Sequence, residues 1–509
     1  MWDAIVVGSG IGGLSASAAL ARHGRSVLLL ERHSVAGGLT QTFRRRHWEF
    51  APGVHYIAGV GPQPGPQGQF GRLLAWLTDG ELRFAASANP YDIIKLPGFE
   101  FGIAHPEQAY RDALLARFPH QQSAIAHWFE ACAEARKSAY TLLAMRGMPE
   151  WMAFGLRLWH GAEAGHWARH TLADELARIE DARLYAVLGG RWRDYGAAPA
   201  QAPFVEHALV MHAYDGGAYY PVGGPARFAQ TLVPVIESAG GEVRLSCDVR
   251  QIITREGRAT AIEYEHDAQL RREEGKHIVS GMGVINTAHC LAPDTAPAWQ
   301  HTIGTLAAGT PCVSLFIGFE GDIAAAGASS ANHWIFENED IGAKWTRPAD
   351  EDAPALFVSF PSLKDPSCLG GPTAEVVAGI DPDVFAPWMA RADEERPEDY
   401  LALKEWIEDR LLSQFLRHFP ALKTLVRFHE LATPLTQRHF VHTPEGSMYG
   451  IEMSAERLTT PALHVRTPVP GLYLAGQDVM GPGVPAACMG GLLAAAAIEP
   501  ALWPSLRAH

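Results

Sequence analysis

Gly8-Ser9-Gly10-Ile11-Gly12-Gly13 is the stretch that decides the fold expected for the first part of this chain. It follows an apolar run, residues 4–7, that is typical of a buried parallel strand, and it leads into a helical Ala/Leu-rich stretch, residues 14–23. A second apolar run, residues 26–30, ends at Glu31. The sequence therefore predicts a β-α-β unit with a G-x-G-x-x-G turn and an acid at the end of its second strand.

The residues of this turn have separate physical tasks. Gly8 permits the tight turn, Gly10 lets a pyrophosphate approach the backbone, and Gly13 lets the helix pack close to the strand. The helix N-terminus offers unpaired N–H groups and a positive dipole end to that pyrophosphate. Glu31 can accept hydrogen bonds from ribose hydroxyls, whereas a purely structural turn would leave this acid unexplained. The turn residues predicted to contact a dinucleotide are Gly8, Gly10, Ile11, Gly12 and Gly13.

Length and composition limit the class of protein. The 509 residues exceed what one compact core accommodates, so two domains are expected. A hydrophobic content of 47% with 19% charged residues is ordinary for a globular protein. The net charge of −14 argues against a nucleic-acid partner, which would require a basic surface.

Cysteines and apolar stretches indicate a cytoplasmic protein. The six cysteines are scattered without a C-x-x-C or a metal-like spacing, so they are expected to be reduced thiols, and no metal site is predicted. Two uncharged stretches, residues 4–21 and 479–498, could be mistaken for membrane spans. Both contain glycine-rich turns that feed helices, which favours burial in the protein over a transmembrane segment.

Patterns along the rest of the chain alternate between two predicted domains. Residues 72–217 are mostly helical in pattern, which is too long for a loop. Two apolar runs, residues 278–279 and 283–285, are predicted to be returning strands of the nucleotide sheet. The predicted segments are 1–60, 218–298 and 441–509 for the nucleotide domain, and 61–217 and 299–440 for a substrate domain.

Residues 142–159 are rich in aromatic side chains and methionine. Such a stretch could lie in a membrane interface and take up a lipid substrate. Basic residues are sparse there, which favours a helix that covers the core or lines an apolar pocket.

Four blocks and one shorter stretch resemble a known family. The chain resembles the retinol saturase branch of the phytoene desaturase and carotenoid isomerase flavoproteins. Ala51-Pro52 departs from the family pattern, which places Asp and a small residue before Gly53. The blocks that carry the resemblance are the glycine turn through Gly53-Val54-His55-Tyr56-Ile57, Tyr220-Pro221-Val222-Gly223-Gly224, Thr433-Pro434-Leu435-Thr436, Tyr473-Leu474-Ala475-Gly476-Gln477-Asp478, and the shorter Gly446-Ser447-Met448-Tyr449-Gly450.

This resemblance implies a fold and a cofactor. The fold is α/β, with a Rossmann-like FAD-binding domain of the amine-oxidase and GDP-dissociation-inhibitor type and an interleaved α+β substrate domain. The dinucleotide is FAD, and Asp478 lies at its ribityl and pyrophosphate chain, with the next helix beginning beside the flavin ring. Besides the turn, the implied FAD contacts are Glu31, Arg32, Gly37, Gly38, Leu39, Thr40, Val249, Gly476, Asp478, Gly483, Val484 and Pro485.

The resemblance also implies a reaction on a hydrophobic polyene or isoprenoid lipid. A hydride passes between flavin N5 and one carbon of a C=C bond, and a proton is exchanged at the other carbon. The proton donor should carry a polar hydrogen in an apolar pocket. The candidates are His55, Tyr56, Tyr449 and Glu452, and Arg438 or His439 could hold a polar substrate end.

Several alternatives remain open at the level of sequence. Saturation is expected, but a desaturase or isomerase would carry the same motifs. A non-catalytic prenyl-lipid binding protein like the Rab GDP-dissociation inhibitors shares the fold, although the phosphate turn, Glu31 and Asp478 argue against it. No second G-x-G-x-x-G is present, so the electron partner is left open between NAD(P)H, a quinone and another protein. A peripheral contact with the inner face of a membrane is a hypothesis.

Overall fold

The computed structural model describes residues 1–61, 66–148, 150–368, 370–389 and 396–508. In chain order, its strands are β1 Trp2–Val7, β2 Val27–Leu30, β3 Phe43–Arg45, β4 Trp48–Phe50, β5 Phe84–Ala86, β6 Asp92–Leu96, β7 Phe99–Ile103, β8 Tyr219–Pro221, β9 Glu242–Arg244, β10 Asp248–Arg255, β11 Arg258–His266, β12 Gln269–Ser280, β13 Cys312–Phe319, β14 Asn332–Phe336, β15 Ala355–Ser359, β16 Thr373–Gly379, β17 Val426–Ala432 and β18 Leu472–Leu474.

Helices connect and cover these strands. They are α1 Ile11–Arg22, α2 Pro66–Leu77, α3 Glu107–Arg117, α4 Gln122–Gly147, α5 Glu150–Arg169, α6 Leu172–Leu176, α7 Ala182–Gly189, α8 Phe204–Ala213, α9 Arg227–Ser238, α10 Val284–His289, α11 Pro297–Gly304, α12 Ala386–Met389, α13 Glu398–His418, α14 Pro434–Val441, α15 Ala455–Thr459, α16 Gln477–Met480, α17 Val484–Ile498 and α18 Trp503–Ala508.

The first sheet has the predicted β-α-β unit at its centre. Parallel strands β18, β12, β1, β2 and β9 lie side by side, and Val6 pairs with both Leu29 and Val279. The first half of β12 pairs instead with β11, which pairs with β10 in an antiparallel arrangement. The glycine turn therefore follows the carboxyl end of a central parallel strand, where open α/β sheets bind ligands.

Helices α1 and α17 bring the two ends of the chain together. Glycines permit their close contact, because a Cβ on Gly491 would lie 2.0 Å from the Gly12 oxygen and one on Gly12 would lie 3.0 Å from the Ala487 oxygen. The Ser15 hydroxyl adds a hydrogen bond of 3.0 Å to the Cys488 carbonyl oxygen. The N-terminal and C-terminal motifs thus belong to one nucleotide-binding layer.

The second sheet has the strand order β17-β13-β16-β15-β14-β6-β7, and its neighbours are antiparallel except for the parallel pair β14 and β6. Helix α13 packs on one face, and α7 contacts β6. The first sheet draws its strands from the segments predicted for the nucleotide domain, and the second draws on the other segments. The segment boundaries themselves stay a prediction.

The prediction of a strand at residues 283–285 is wrong, whereas residues 278–279 do lie in β12. Gly283 has a φ of +89°, which turns the chain out of the sheet. The Asp478 carboxylate then accepts a hydrogen bond from the Val284 N–H at 2.9 Å. This bond satisfies a free donor in the first turn of α10, so a helix forms where the apolar run alone favoured a strand.

The aromatic stretch at residues 142–159 divides between two helices. In α4, Leu142 is buried and Leu143 lines a cavity, as predicted for a helix that covers the core. In α5 the large apolar side chains face outward instead. Those between 62% and 85% exposed are Trp151, Phe154, Leu158 and Trp159. Along the described ranges, no helix combines the length and apolarity needed to cross a bilayer.

Candidate functional site

A cavity of about 780 Å³ extends from the glycine turn to residues of the second sheet. The wall also includes residues from α4 and α8. Exposed residues of its wall include Val35 and Phe440, which are 44% and 45% exposed, and Tyr140, which is 53% exposed. The nucleotide motifs and the second sheet therefore share one cavity.

The glycine turn forms part of this wall. Gly8 adopts a φ of +91°, which other residues rarely adopt. Gly10, Ile11 and Gly12 also line the cavity, so the N-terminal end of α1 lies at the wall. Gly13 does not line it, because its role is packing: a Cβ on Gly13 would lie 1.9 Å from the Gly8 oxygen.

Glu31 lines the cavity at the end of β2. One carboxylate oxygen accepts hydrogen bonds from the Ser9 N–H at 2.7 Å and the Ser9 hydroxyl at 2.6 Å. The other accepts from the His33 N–H at 2.7 Å. The Ser9 hydroxyl in turn accepts from the Gly37 N–H at 3.0 Å, a link that sequence reasoning missed. A carboxylate has about four acceptor positions, so Glu31 keeps capacity for a ribose hydroxyl.

The loop after Glu31 passes close to the start of α1. A Cβ on Gly38 would lie 3.0 Å from Gly10 Cα, so glycine is needed for this approach. The Thr40 hydroxyl closes the loop with a hydrogen bond of 2.8 Å to the Gly37 oxygen. The cavity wall in this region includes the predicted contacts Arg32, Gly37, Gly38, Leu39, Thr40 and Val249.

The C-terminal motif lines the same cavity. Asp478 is 5% exposed, and its two oxygens accept from the Val284 N–H at 2.9 Å and the Ile451 N–H at 3.4 Å. It therefore joins three chain segments at the wall. The predicted contacts found there are Gly476, Asp478, Gly483, Val484 and Pro485.

These walls fit a dinucleotide. The N-terminal ends of α1 and α17 lie at the cavity and supply N–H groups and positive dipole ends, which suit a pyrophosphate. Glycines leave open the space beside both helices that side chains would fill. The acid at Glu31 completes the set of groups that a dinucleotide with a free ribose requires.

His55 and Tyr56 line the cavity after β4. His55 Nδ1 lies 2.8 Å from a carboxylate oxygen of Glu375. The Tyr56 hydroxyl donates to Asp194 at 3.2 Å and lies 3.4 Å from Asp92. Burial raises the pKa of Tyr56 well above 10, so this phenol keeps its proton. Tyr56 therefore presents a hydroxyl that is held by two carboxyl groups.

The other predicted catalytic and polar residues differ in whether they reach the cavity. Tyr449 lines the cavity, and its ring packs on Gly196, where a Cβ would lie 2.7 Å from Tyr449 Cδ2. Burial raises the pKa of Tyr449 as well. Glu452 is partly buried but lies outside the cavity wall, and so do Arg438 and His439.

A cluster of buried charges behind Tyr56 was missed at the sequence level. Arg191 Nε lies 3.1 Å from Asp92, and both side chains are at most 2% exposed. Lys364 Nζ donates to the His55 oxygen at 2.8 Å. Burial raises the pKa of Asp194 to about 7 and lowers the pKa of Lys364 to about 7. The sequence does contain a signal that could have revealed this cluster. It is a charged run within apolar surroundings, Arg191-Trp192-Arg193-Asp194.

Residues 6–71 match the family model of the NAD(P)-binding Rossmann-like domain. Over 523 residues the chain is 30% identical to the all-trans-retinol 13,14-reductase of Danio rerio, a match that covers 96% of this chain and 84% of that protein. The chain belongs to the all-trans-retinol 13,14-reductase family. This result confirms the retinol saturase branch that the motifs predicted, together with the oxidoreductase class.

More distant relatives of this all-trans-retinol 13,14-reductase family member agree with the fold. A chloroplastic prolycopene isomerase of Daucus carota is 23% identical over 514 residues, covering 97% of this chain and 79% of that protein. The cyclohexylamine oxidase of Brevibacterium oxydans superposes with a TM-score of 0.63 at 17% identity, covering 98% of this chain and 99% of that one. The predicted fold class is confirmed, and the cavity wall supports FAD as the dinucleotide.

Proposed function

We propose that this protein is an FAD-dependent oxidoreductase that saturates a C=C bond of a hydrophobic polyene or isoprenoid lipid. The observation that carries the proposal is the continuity of the cavity, which joins the dinucleotide wall to an apolar wall. A relative named for the 13,14-reduction of all-trans-retinol supports the same substrate class. The apolar residues of that wall include Leu209, Val210, Trp334, Phe357 and Val377.

The residues of the dinucleotide wall would hold FAD. The turn at Gly8 to Gly12 would receive the pyrophosphate, Glu31 the ribose hydroxyls, and the start of α17 the flavin ring. When bound, FAD supplies the hydride chemistry of the reaction. The protein contributes orientation of the lipid, exclusion of water by the apolar wall, and a proton.

Tyr56 and Asp194 are the groups proposed to hold and move that proton. Both line the cavity, and the Tyr56 hydroxyl lies 3.2 Å from the Asp194 carboxyl. In the step, the Tyr56 O–H would turn from Asp194 towards the substrate, and it would break as a C–H bond forms there. The proton of the Asp194 carboxyl then replaces the one that Tyr56 lost. The buried pair of Arg191 and Asp92 holds the phenol in place. His55 and Tyr449 also line the cavity and stay alternative donors.

An anaerobic absorbance titration tests the proposal. The FAD-loaded protein is reduced with dithionite, and polyenes such as all-trans-retinol are added. Return of the oxidised flavin spectrum together with loss of the polyene absorbance supports a saturase. Bleaching of the oxidised flavin by a more saturated lipid would identify a desaturase instead, and a change of polyene isomer without net redox change would identify an isomerase.

The same preparation tests the remaining alternatives. If no flavin spectrum appears even after FAD is supplied, the enzymatic proposal fails and a non-catalytic lipid-binding protein takes its place. Replacing dithionite by NADH, NADPH or a quinol shows which class of donor reduces the flavin. Failure of all three points to a protein donor.

We also propose that α5 contacts a membrane from its surface. The exposed side chains of Trp151, Phe154, Leu158 and Trp159 fall on one side of the helix at 3.6 residues per turn. Tryptophan is well suited to the boundary between lipid and water. Helix α5 packs against α4, whose exposed Tyr140 also lines the cavity. A lipid would thus enter from a membrane surface on the side of Tyr140, and a location at the inner membrane face stays a prediction.

A further inference from the structure

Arg193 lies in the cavity wall on the short 3₁₀ segment Gly190–Asp194. Its guanidinium carbon is 4.4 Å from the centre of the Trp192 ring, and Nη2 donates to the Ala343 oxygen at 3.3 Å. Its Nε is buried without a hydrogen-bond acceptor among the described residues. Because a guanidinium has five N–H donors, most of them are left for a partner outside the chain.

Arg193 also lacks a charge partner, unlike its neighbour Arg191, which lies 3.1 Å from Asp92. The adjacent Asp194 carboxyl bonds to Tyr56 instead. In the part of the chain that the structure describes, no carboxylate forms an ion pair with Arg193, and burial lowers its pKa to about 10 without an acid that raises it. A half-buried cation without a charge partner is costly, so an anion from outside would offset a penalty that the fold leaves in place.

The surroundings of Arg193 hold its guanidinium at the cavity wall. Gly379 ends β16 there, and a Cβ on it would lie 2.6 Å from Arg193 Nη1, so the missing side chain lets the guanidinium pack against the strand. The neighbouring wall from Cys312, Val377 and Tyr449 carries no charge. The guanidinium therefore adjoins an uncharged stretch of the cavity wall, while the Asp194 carboxyl beside it in the chain is engaged by Tyr56.

We propose that the substrate of this cavity ends in a carboxylate and that Arg193 binds that end. The inference rests on the proposed function, because it names the lipid more closely as a polyene or isoprenoid carboxylic acid. A carboxylate supplies two oxygens that match the planar N–H fork, and it supplies the missing charge. An alcohol of the same skeleton would leave the guanidinium uncompensated.

Binding to the oxidised, FAD-loaded protein tests this inference without turnover. Binding is measured by the quenching of tryptophan fluorescence. The probes are two matched pairs of an acid and its alcohol: all-trans-retinoic acid with all-trans-retinol, and geranylgeranoic acid with geranylgeraniol. We expect each acid to bind about tenfold to a hundredfold more tightly than its alcohol. R193M should remove that preference while leaving alcohol binding within about threefold, and R193K should restore part of it because the charge returns. R438M is the matched control, since Arg438 lies outside the cavity wall.

Each outcome bears on one proposal. Equal affinity for acid and alcohol in the unmodified protein overturns the carboxylate inference alone, and so does loss of the preference in R438M but not in R193M. Loss of FAD from R193M would assign Arg193 to the cofactor and overturn it as well. Absence of binding by both pairs contradicts the polyene proposal on which the inference rests. Tight, Arg193-dependent binding of an acid whose C=C bond the reduced protein leaves intact supports the inference and contradicts only the saturase activity.

Discussion

Gly10 and Gly13 are neighbours in the phosphate turn, yet an added methyl group would affect them differently. A Cβ on Gly13 would lie 1.9 Å from the Gly8 oxygen, whereas one on Gly10 would meet no protein atom within 4 Å and would enter the cavity wall. We expect G13A to lower the free energy of unfolding of the FAD-free protein by about 1–3 kcal/mol or more. G10A should leave it within about 0.5 kcal/mol and weaken FAD binding instead.

Urea unfolding and FAD titration of both variants check this pair. A G10A protein that is as unstable as G13A would contradict the packing role assigned to Gly13. Unchanged FAD affinity in G10A would contradict the close approach of the cofactor to the turn.

Asp194 predicts the pH dependence of the proton transfer. Its raised pKa of about 7 means that the protonated form, which the reaction requires, predominates below pH 7 and is lost above it. We expect the rate of flavin reoxidation by the polyene to be constant below about pH 7 and to fall about tenfold per pH unit above it. D194N should be slower by about a hundredfold and should lose this pH dependence.

Anaerobic stopped-flow absorbance measures these rates. E452Q is the control, because Glu452 lies outside the cavity wall, and its rate should match the unmodified protein within about twofold. A normal pH profile in D194N would move the donor role to His55 or Tyr449. The Tyr56→Phe variant tests the contribution of the phenol hydroxyl separately from that of the Asp194 carboxyl.

Most of the predicted FAD contacts line the cavity, whereas the predicted catalytic residue Glu452 does not. Glycines and Glu31 take their positions from the local backbone of a β-α-β unit, so spacing alone predicts that they lie together. Arg193 and Asp194 line the cavity because distant segments pack around them, and no local pattern reports that packing. Glu452 shows the converse, since an acid close to a motif need not reach the cavity.

At the scale of elements, the outward side chains of α5 predict that this helix binds a membrane surface. The variant W151S/F154S/W159S removes three large apolar side chains that are 62% to 85% exposed. Because each contributes burial energy only in lipid, we expect cosedimentation with liposomes to fall several-fold while the unfolding midpoint stays unchanged.

The control for this experiment lies on α13, where L401S/W406S removes two other exposed apolar side chains. It should cosediment as the unmodified protein does. Absence of liposome binding by the unmodified protein at low salt, or an equal loss in both variants, would contradict the membrane role of α5.

Element types were predictable where one periodicity dominates, and α10 shows where that fails. The apolar residues after Gly283 favour a strand, yet a hydrogen bond from Val284 to Asp478, 194 residues away, begins a helix there. A capping acid from another segment cannot be recognised from the local sequence. The division of residues 142–159 into an inward and an outward helix depends on packing in the same way.

At the scale of the whole molecule, the cavity draws its wall from both sheets, so FAD should stabilise both together. A thousandfold excess over its Kd would add about 4 kcal/mol to the free energy of unfolding. We expect far-UV circular dichroism and flavin fluorescence to report one shared thermal transition that rises with FAD concentration. If flavin is released at a temperature well below the one at which secondary structure is lost, the second sheet is stable independently of FAD.

Exposed residues of the cavity wall lie at Tyr140 and at Val35 and Phe440, and the Phe440 ring packs edge-on against His33 at 5.4 Å. A lipid that arrives beside Tyr140 need not displace a nucleotide held at Glu31. We therefore expect the lipid and FAD to exchange through different parts of the cavity rim, so that one bound FAD serves many catalytic cycles.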